Sequence, residues 1–266
     1  MTSNLNFVAP IFVPGHRPEL FGKAAASGAD AIIIDLEDAV PADAKETARS
    51  NLRADFTTLP VLVRINAAGT VWHWDDVAAA VDKPLSGLVV PKAELGRTLE
   101  KICAYPFART FGVVALIETA RGLADARQIA ALSGIGRLAF GSVDFCADVG
   151  CSHTRDSLLL ARSELVLASC LAGKLAPIDG VTTSIADIAM VIDDARYASN
   201  LGFGGKLCIH PNQIEPVKNA FHPDAAEIAW AHKVIASGEG ATAVDGAMVD
   251  EPVRIRARSI LARSHA

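Results

Sequence analysis

The chain has 266 residues, 51% of them hydrophobic and 21% charged, which is ample for a sizeable core, excludes global disorder and makes a single α/β domain the starting expectation. A formal net charge of −5 gives no general attraction to nucleic acid or anionic lipid, so neither is expected as a partner, although a local basic pocket for a phosphorylated ligand is compatible with it. Five cysteines, odd in number and scattered, suit a reducing compartment rather than a disulfide framework.

From the N-terminus, short apolar runs alternate with amphipathic segments rich in Ala, Leu, Glu and Arg. The runs predict strands at 8–13 (VAPIFV), 31–35 (AIIID), 60–65 (PVLVRI), 87–90 (GLVV), 112–117 (GVVALI), 137–140 (RLAF), 177–181 (PIDGV) and 206–209 (KLCI). Helical patterns lie between them at 17–27, 42–54, 74–82, 93–104, 121–133, 156–173 and 184–200, with another opening near Asn212. Eight alternating units predict a (β/α)₈ TIM barrel over residues 1–222 rather than an open doubly wound sheet, which usually has fewer strands. Residues 223–266 predict a C-terminal helical extension of the same domain, with helices at 223–238 and 250–264 joined by the Gly-rich GEGATAVDGAMVD. That link reads as a mobile cap or an oligomer contact. The first residues lack the basic start and apolar length of a secretory signal, and no stretch is long and apolar enough to span a bilayer, so a cytoplasmic protein is expected.

A barrel of this kind demands that its working groups sit at the C-terminal ends of strands. The polar residues fall there: Gly15-His16-Arg17 after strand one, Asp35-Leu36-Glu37-Asp38 after strand two, and Arg64 with Asn66 at strand three. Lys92 follows strand four, Glu118 strand five, Asp144 strand six and His210 strand eight. Glu118 and Asp144 on neighbouring strand ends offer two hard oxygen ligands of the kind that hold Mg²⁺, with water and substrate completing its shell; the alternative is that each carboxylate caps a helix. Arg64 could clamp a carboxylate through its planar fork or pair structurally with the DLED acids, and the two readings are compatible. Arg17, after a Pro-Gly turn and before Pro18, could dock a phosphate or carboxylate. His210 reads as a general base or as a histidine bonded to backbone. A Schiff base at Lys92 has no support in VVPKAEL, and Cys146, Cys151 and His153 lack the fourth ligand and the CxxC spacing of a zinc site.

Together FVPGHRPELFGKAAASGADAIIIDLEDAV, VLVRIN, LIETARG, FGSVDF and CIHPNQ resemble the citrate lyase beta-subunit-like family, of the metal-dependent 2-oxo-acid aldolase and malyl-CoA lyase superfamily. The resemblance runs through nearly the whole chain. It implies a barrel assembled into homotrimers or hexamers, Mg²⁺ held by Glu118 and Asp144, and Arg64 gripping substrate oxygens together with Glu118. It also implies Arg17 at the phosphates or carboxylates of the acyl carrier, and Glu37 and Asp38 as acids behind the metal that hold its waters, with Asp35 structural. VDGAMVDEPV is similar to the segment that brings a catalytic aspartate, here Asp250, over a neighbouring subunit's barrel; its alternative is an N-cap of the final helix. One departure is plain: relatives usually begin strand one with Arg-Ser, where this chain has Val8-Ala9-Pro10.

The expectation is a carbon–carbon lyase that cleaves a carboxylate-bearing 3-hydroxyacyl thioester, such as citryl-, malyl- or citramalyl-CoA, into an acyl thioester and a 2-oxo acid. Coenzyme A and an acyl carrier protein are both open as the carrier. The alternatives are a 2-oxo-acid aldolase that needs no thioester, a thioesterase acting on malyl-type substrates, and a non-catalytic carrier-binding subunit.

Overall fold

The computed structural model describes residues 5–110 and 112–264. Eight parallel strands follow one another in order: β1 (Pro10–Pro14), β2 (Ala31–Asp35), β3 (Val61–Arg64), β4 (Gly87–Val90), β5 (Val113–Ile117), β6 (Ile135–Phe140), β7 (Ile178–Asp179) and β8 (Gly205–Lys206). The ring closes where Ile11 of β1 bridges Cys208 just past β8 in parallel, with Phe12 N donating to Cys208 O at 3.0 Å and Cys208 N to Pro10 O at 2.9 Å. This is the α/β TIM-barrel fold that the alternating pattern predicts.

The first helices are α1 (Phe21–Ala25), α2 (Lys45–Ser50), α3 (His73–Val81), α4 (Arg97–Ala104), α5 (Pro106–Thr110), α6 (Ala120–Ala124) and α7 (Ala126–Ala131). After β6 come α8 (Ser142–Val149), α9 (Arg155–Leu171), α10 (Ile188–Leu201) and α11 (Ile214–Phe221). The pattern at 93–104 gives α4 alone, which stops where Tyr105, preceding Pro106, takes an extended conformation with ψ 143°, and α5 follows beyond the predicted range. Helix α8 lies between the helical patterns predicted at 121–133 and 156–173, where none was assigned, and β7 and β8 are shorter than expected. Glycines flank or occupy both strands: a Cβ at Gly180 would stand 2.2 Å from Ser142 Oγ, and one at Gly205 2.5 Å from Val8 O. The backbone packs tightly there instead of extending its ladder.

Ala31, Ile33, Leu62, Val89, Val114, Leu116, Ala139, Ile178 and Leu207 form one buried cluster inside the ring. Side chains alternate along a strand, so the next inward positions toward the C-terminal end are Asp35, Arg64, Glu118, Gly141 and Gly180. The opposite end is closed by Leu5 and Phe7, which join the cluster. Buried Arg137 donates there to Leu5 O (2.8 Å), Phe7 O (2.7 Å) and Ala176 O (2.7 Å). One end is therefore plugged by Leu5, Phe7 and a carbonyl-bound guanidinium, and the other carries the acids.

The chain divides into two compact units, one through Lys218 and one from Asn219. The second holds α12 (Ala225–Ala236) and α13 (Glu251–Ser264), packed through Ala231, Val234, Ala257 and Ile260. The Gly-rich link between them is regular, a feature the sequence pattern did not assign. It forms an antiparallel hairpin of β9 (Thr242–Val244) and β10 (Ala247–Val249). Asp245 and Gly246 turn it with φ of 49° and 81°, the left-handed pair that a two-residue hairpin favours. Among the described residues no helix is long and apolar enough to cross a membrane.

Candidate active site

The DLED turn begins with Asp35, 1% exposed, whose two oxygens accept Arg64 Nε and Nη2, each at 2.7 Å. The backbone N–H groups of Glu37 (2.9 Å) and Ala39 (3.0 Å) also reach it. Burial pushes this carboxyl up, but the Arg64 fork and the two peptide donors outweigh it and hold Asp35 below the usual carboxylate range. Most of Arg64's fork is thus spent on Asp35, as the structural-pairing alternative required. Its third nitrogen, Nη1, lies 3.2 Å from Asp38 and 3.3 Å from Glu37, and the guanidinium stacks on Phe12 at 4.8 Å.

Glu37 is buried beside it. Its Oε1 accepts Lys92 Nζ at 2.9 Å, whereas its Oε2 is buried without a hydrogen bond. Burial, and then the charge of Asp38, raise its pKa against the pull of Arg64 and Lys92. The turn is held from behind by buried Lys45, which donates to Leu36 O (2.7 Å), Glu37 O (2.8 Å) and Asn66 Oδ1 (2.7 Å). Asn66 in turn is fixed by Asp76. Nothing in the sequence pattern marks Lys45, because its role depends on a loop that passes over it.

Glu118 ends β5 almost fully buried, at 1% exposed. Its Oε1 accepts the peptide N–H of Lys92 at 2.7 Å. An added Cβ at Gly141 would stand 2.2 Å from its Oε2, so only glycine fits opposite this carboxylate. Burial, followed by the charges of Glu37 and Asp144, pushes Glu118 up to about 8. Asp144 lies in the first turn of α8 and makes no cap there, since Gly141 occupies the N-cap position. Thr119 caps α6 by accepting from Gly122 N.

Lys92 ties these acids together. Its backbone sits in the left-handed region at φ 45°, an unfavourable conformation for a side chain of this kind and one that clusters at working sites. The ammonium reaches Glu37, and also stands 3.8 Å from Glu118 Oε1 and 4.0 Å from Asp144 Oδ1. Burial alone would lower its pKa, but Glu37 and Glu118 outweigh it and raise the pKa, the opposite of what a Schiff-base amine needs. Sequence reasoning weighed Lys92 only as a nucleophile. Its place at the end of β4 was the available signal; the left-handed turn that aims it was not.

Five carboxylates (Asp35, Glu37, Asp38, Glu118, Asp144) therefore share two cations (Arg64, Lys92) at this mouth. The acids exceed the cations by three, and the donors at Glu118 and Asp144 are hard oxygens, a set that fits a divalent cation such as Mg²⁺. Among the described residues no group of three or more His, Cys, Asp or Glu converges as a protein cage, which leaves most of the coordination sphere to water and ligand. A cleft of about 380 Å³ opens beside Lys92, lined also by Ala67, Glu94, Arg97 and Thr119.

Other sequence candidates stand apart from this cluster. Arg17 is half exposed and pairs with Glu19 rather than with the mouth acids. His210 caps the turn after β8, its Nδ1 accepting from Asn212 N at 3.2 Å. His153 meets Ser142 Oγ at 2.9 Å, while Cys146 and Cys151 meet each other. Asp250 belongs to the second unit, where its Oδ1 accepts from Val253 N at 3.3 Å at the start of α13, the cap geometry named as its alternative.

Residues 9–211 match the family model described as HpcH/HpaI aldolase/citrate lyase. A citrate lyase subunit beta-like protein of Mycobacterium tuberculosis is 38% identical, covering 98% of this chain and 97% of its own. A (3S)-malyl-CoA thioesterase of Cereibacter sphaeroides is 31% identical over 98% and 95%. The fold superposes with a TM-score of 0.88 on protein CitE from M. tuberculosis in complex with magnesium, acetoacetate and coenzyme A, at 36% identity and covering 99% of this chain and 100% of that one.

Proposed function

This chain is an enzyme that belongs to the HpcH/HpaI aldolase/citrate lyase family, and from that premise we propose that it is a Mg²⁺-dependent carbon–carbon lyase. Its substrate is a 3-hydroxyacyl thioester bearing a carboxylate, cleaved into an acyl thioester and a 2-oxo acid. The observation that carries this reading is the pair Glu118 and Asp144, both within 4.0 Å of the single ammonium of Lys92. Such a pair already gathers a cation where a barrel's chemistry is done.

Glu118 and Asp144 would hold the metal. Bound Mg²⁺ supplies Lewis acidity, polarising the oxygens of a 2-oxo or 2-hydroxy carboxylate and offsetting the charge that develops there. Arg64 Nη1, now shared by Asp38 and Glu37, would turn to the substrate carboxylate, while Asp35 keeps the plane of the fork fixed. Glu37 and Asp38 would orient water beside the carboxylate pair, and Lys92 offsets their charge while its peptide N–H holds Glu118. In the synthetic direction the acyl α-proton needs a base; Asp250, with one oxygen capping α13, has a second oxygen for that role in a neighbouring copy of a homotrimer or hexamer. Arg17 is free of the acid cluster, as a contact to the phosphates of coenzyme A or of an acyl carrier protein requires. Five free cysteines support a cytoplasmic setting.

The likeness to a malyl-CoA thioesterase favours one second reading, hydrolysis of the same thioester. Citryl-, malyl- and citramalyl-CoA, each incubated with enzyme and Mg²⁺, separate the two. The lyase yields acetyl-CoA with oxaloacetate, glyoxylate or pyruvate respectively. Free malate with coenzyme A thiol, and no 2-oxo acid from any substrate, would sink the lyase reading in favour of the hydrolase.

A further inference from the structure

Helix α8, whose first turn carries Asp144, ends in a cap built around Gly150 at φ 76°. Both Gly150 N (2.9 Å) and Cys151 N (3.1 Å) donate to Cys146 O. The Cys151 bond is the six-residue closure of a Schellman motif and the Gly150 bond the five-residue closure of an αL cap, and this places Cys146 and Cys151 at the two positions whose side chains come into contact across the helix end. Ordinarily an apolar pair meets there. Here two thiols meet, with Sγ–Sγ 3.7 Å, and this is the one sulfur–sulfur contact among the described residues. Cys146 is buried and Cys151 is part-exposed, so one sulfur is reachable from solvent and the other waits behind it.

We propose that Cys146 and Cys151 form a two-electron redox site: a hydroperoxide oxidises Cys151 and Cys146 resolves the product into a reversible disulfide across the α8 cap. In the first step the Cys151 sulfur attacks the peroxide, the O–O bond breaks, and one oxygen leaves as alcohol or water with the thiol proton. The sulfur is oxidised to a sulfenic acid and the peroxide is reduced. In the second step Cys146 sulfur attacks that sulfur, the S–O bond breaks, and hydroxide departs with the Cys146 proton as water. The sulfurs close from 3.7 Å to about 2 Å, and the backbone hydrogen bonds of the cap already hold the two residues side by side. Cys103 and Cys208 are buried without a sulfur neighbour, and Cys170 is exposed and alone. This selects the pair from the five.

The test uses the full chain with Cys170→Ser, treated with stoichiometric hydrogen peroxide, alkylated and digested with trypsin, which leaves Cys146 and Cys151 together on the peptide 138–155. The expected product is that peptide lighter by two hydrogens, refractory to alkylation, and restored by dithiothreitol. The additional Cys146→Ser variant should instead stop at a dimedone-trappable sulfenic acid on Cys151. Two outcomes overturn the proposal: a peptide that stays fully alkylatable after excess peroxide, or one in which Cys151 gains oxygen while Cys146 remains a free thiol.

Discussion

Two buried acids in the barrel unit differ in one respect. Asp179, with no exposed surface, accepts Arg162 Nε and Lys206 Nζ, each at 2.8 Å. Burial pushes its carboxyl up, but the two cations outweigh it and hold Asp179 low. Glu118 is buried almost as deeply, yet its nearest cation is an ammonium at 3.8 Å, and burial leaves it near 8. A buried acid met by two cations is a finished structural element. A buried acid crowded by other acids is where the proposed metal would supply the counter-charge.

Several substitutions would break or sharpen this contrast. The largest effect expected is on turnover: Glu118→Gln should abolish metal-dependent cleavage, read by release of the 2-oxo acid, without lowering the melting temperature. Asp179→Asn should do the reverse in thermal or urea denaturation. It strands two buried cations, at about 3–5 kcal/mol of lost stability. Equal stability losses in the two variants would erase the distinction. Next comes Gly141→Ala, whose new carbon would stand 2.2 Å from Glu118 Oε2. It should displace the carboxylate and lower metal affinity by more than tenfold in a calorimetric titration, and unchanged affinity would free Glu118 from its assigned place.

A subtler separation is in pH. Glu118 is raised above the ordinary value of 4.5 to about 8, so between these limits the folded state holds a proton that the unfolded chain has lost. Its contribution to the stability of the metal-free protein is present below 4.5 and declines as pH rises through about 8. Asp179 is lowered from 3.8; its contribution is present above that value and is lost only as pH falls through its folded pKa. Denaturation of metal-free wild type should therefore show stability falling from about pH 5 toward about pH 8, with the decline removed by Glu118→Gln. The smallest effect belongs to Lys92→Met. Removing a part-exposed ammonium that competes for both carboxylates should tighten Mg²⁺ binding by about 1 kcal/mol, roughly fivefold, while slowing turnover. Weaker metal binding would make Lys92 a support for Glu118 rather than a competitor.

Much of this was legible in the sequence. AIIID and VLVR announce strands buried on both faces, and period-two alternation then sends Asp35, Arg64 and Glu118 inward at the strand ends. The sequence also offered a pairing of Arg64 with the DLED acids, and it is present. What stayed hidden depended on contacts between distant segments. The left-handed turn at Lys92 and the reach of Lys45 beneath the DLED loop leave no local pattern. The local pairing of Arg17 with Glu19 was likewise not marked by its Pro-Gly turn. The Asp245-Gly246 hairpin was readable from its dipeptide, yet the surrounding glycines suggested a loose link.

The most direct test of the central claim is binding of Mn²⁺, a paramagnetic stand-in for Mg²⁺, followed by electron paramagnetic resonance in wild type, Glu118→Gln and Asp179→Asn at neutral pH. The account predicts one site in wild type, competed by Mg²⁺, lost in Glu118→Gln and kept by whatever fraction of Asp179→Asn remains folded. Undiminished, Mg²⁺-competed binding in Glu118→Gln would contradict it, because the metal would then be held by groups other than those at the mouth of β5 and β6.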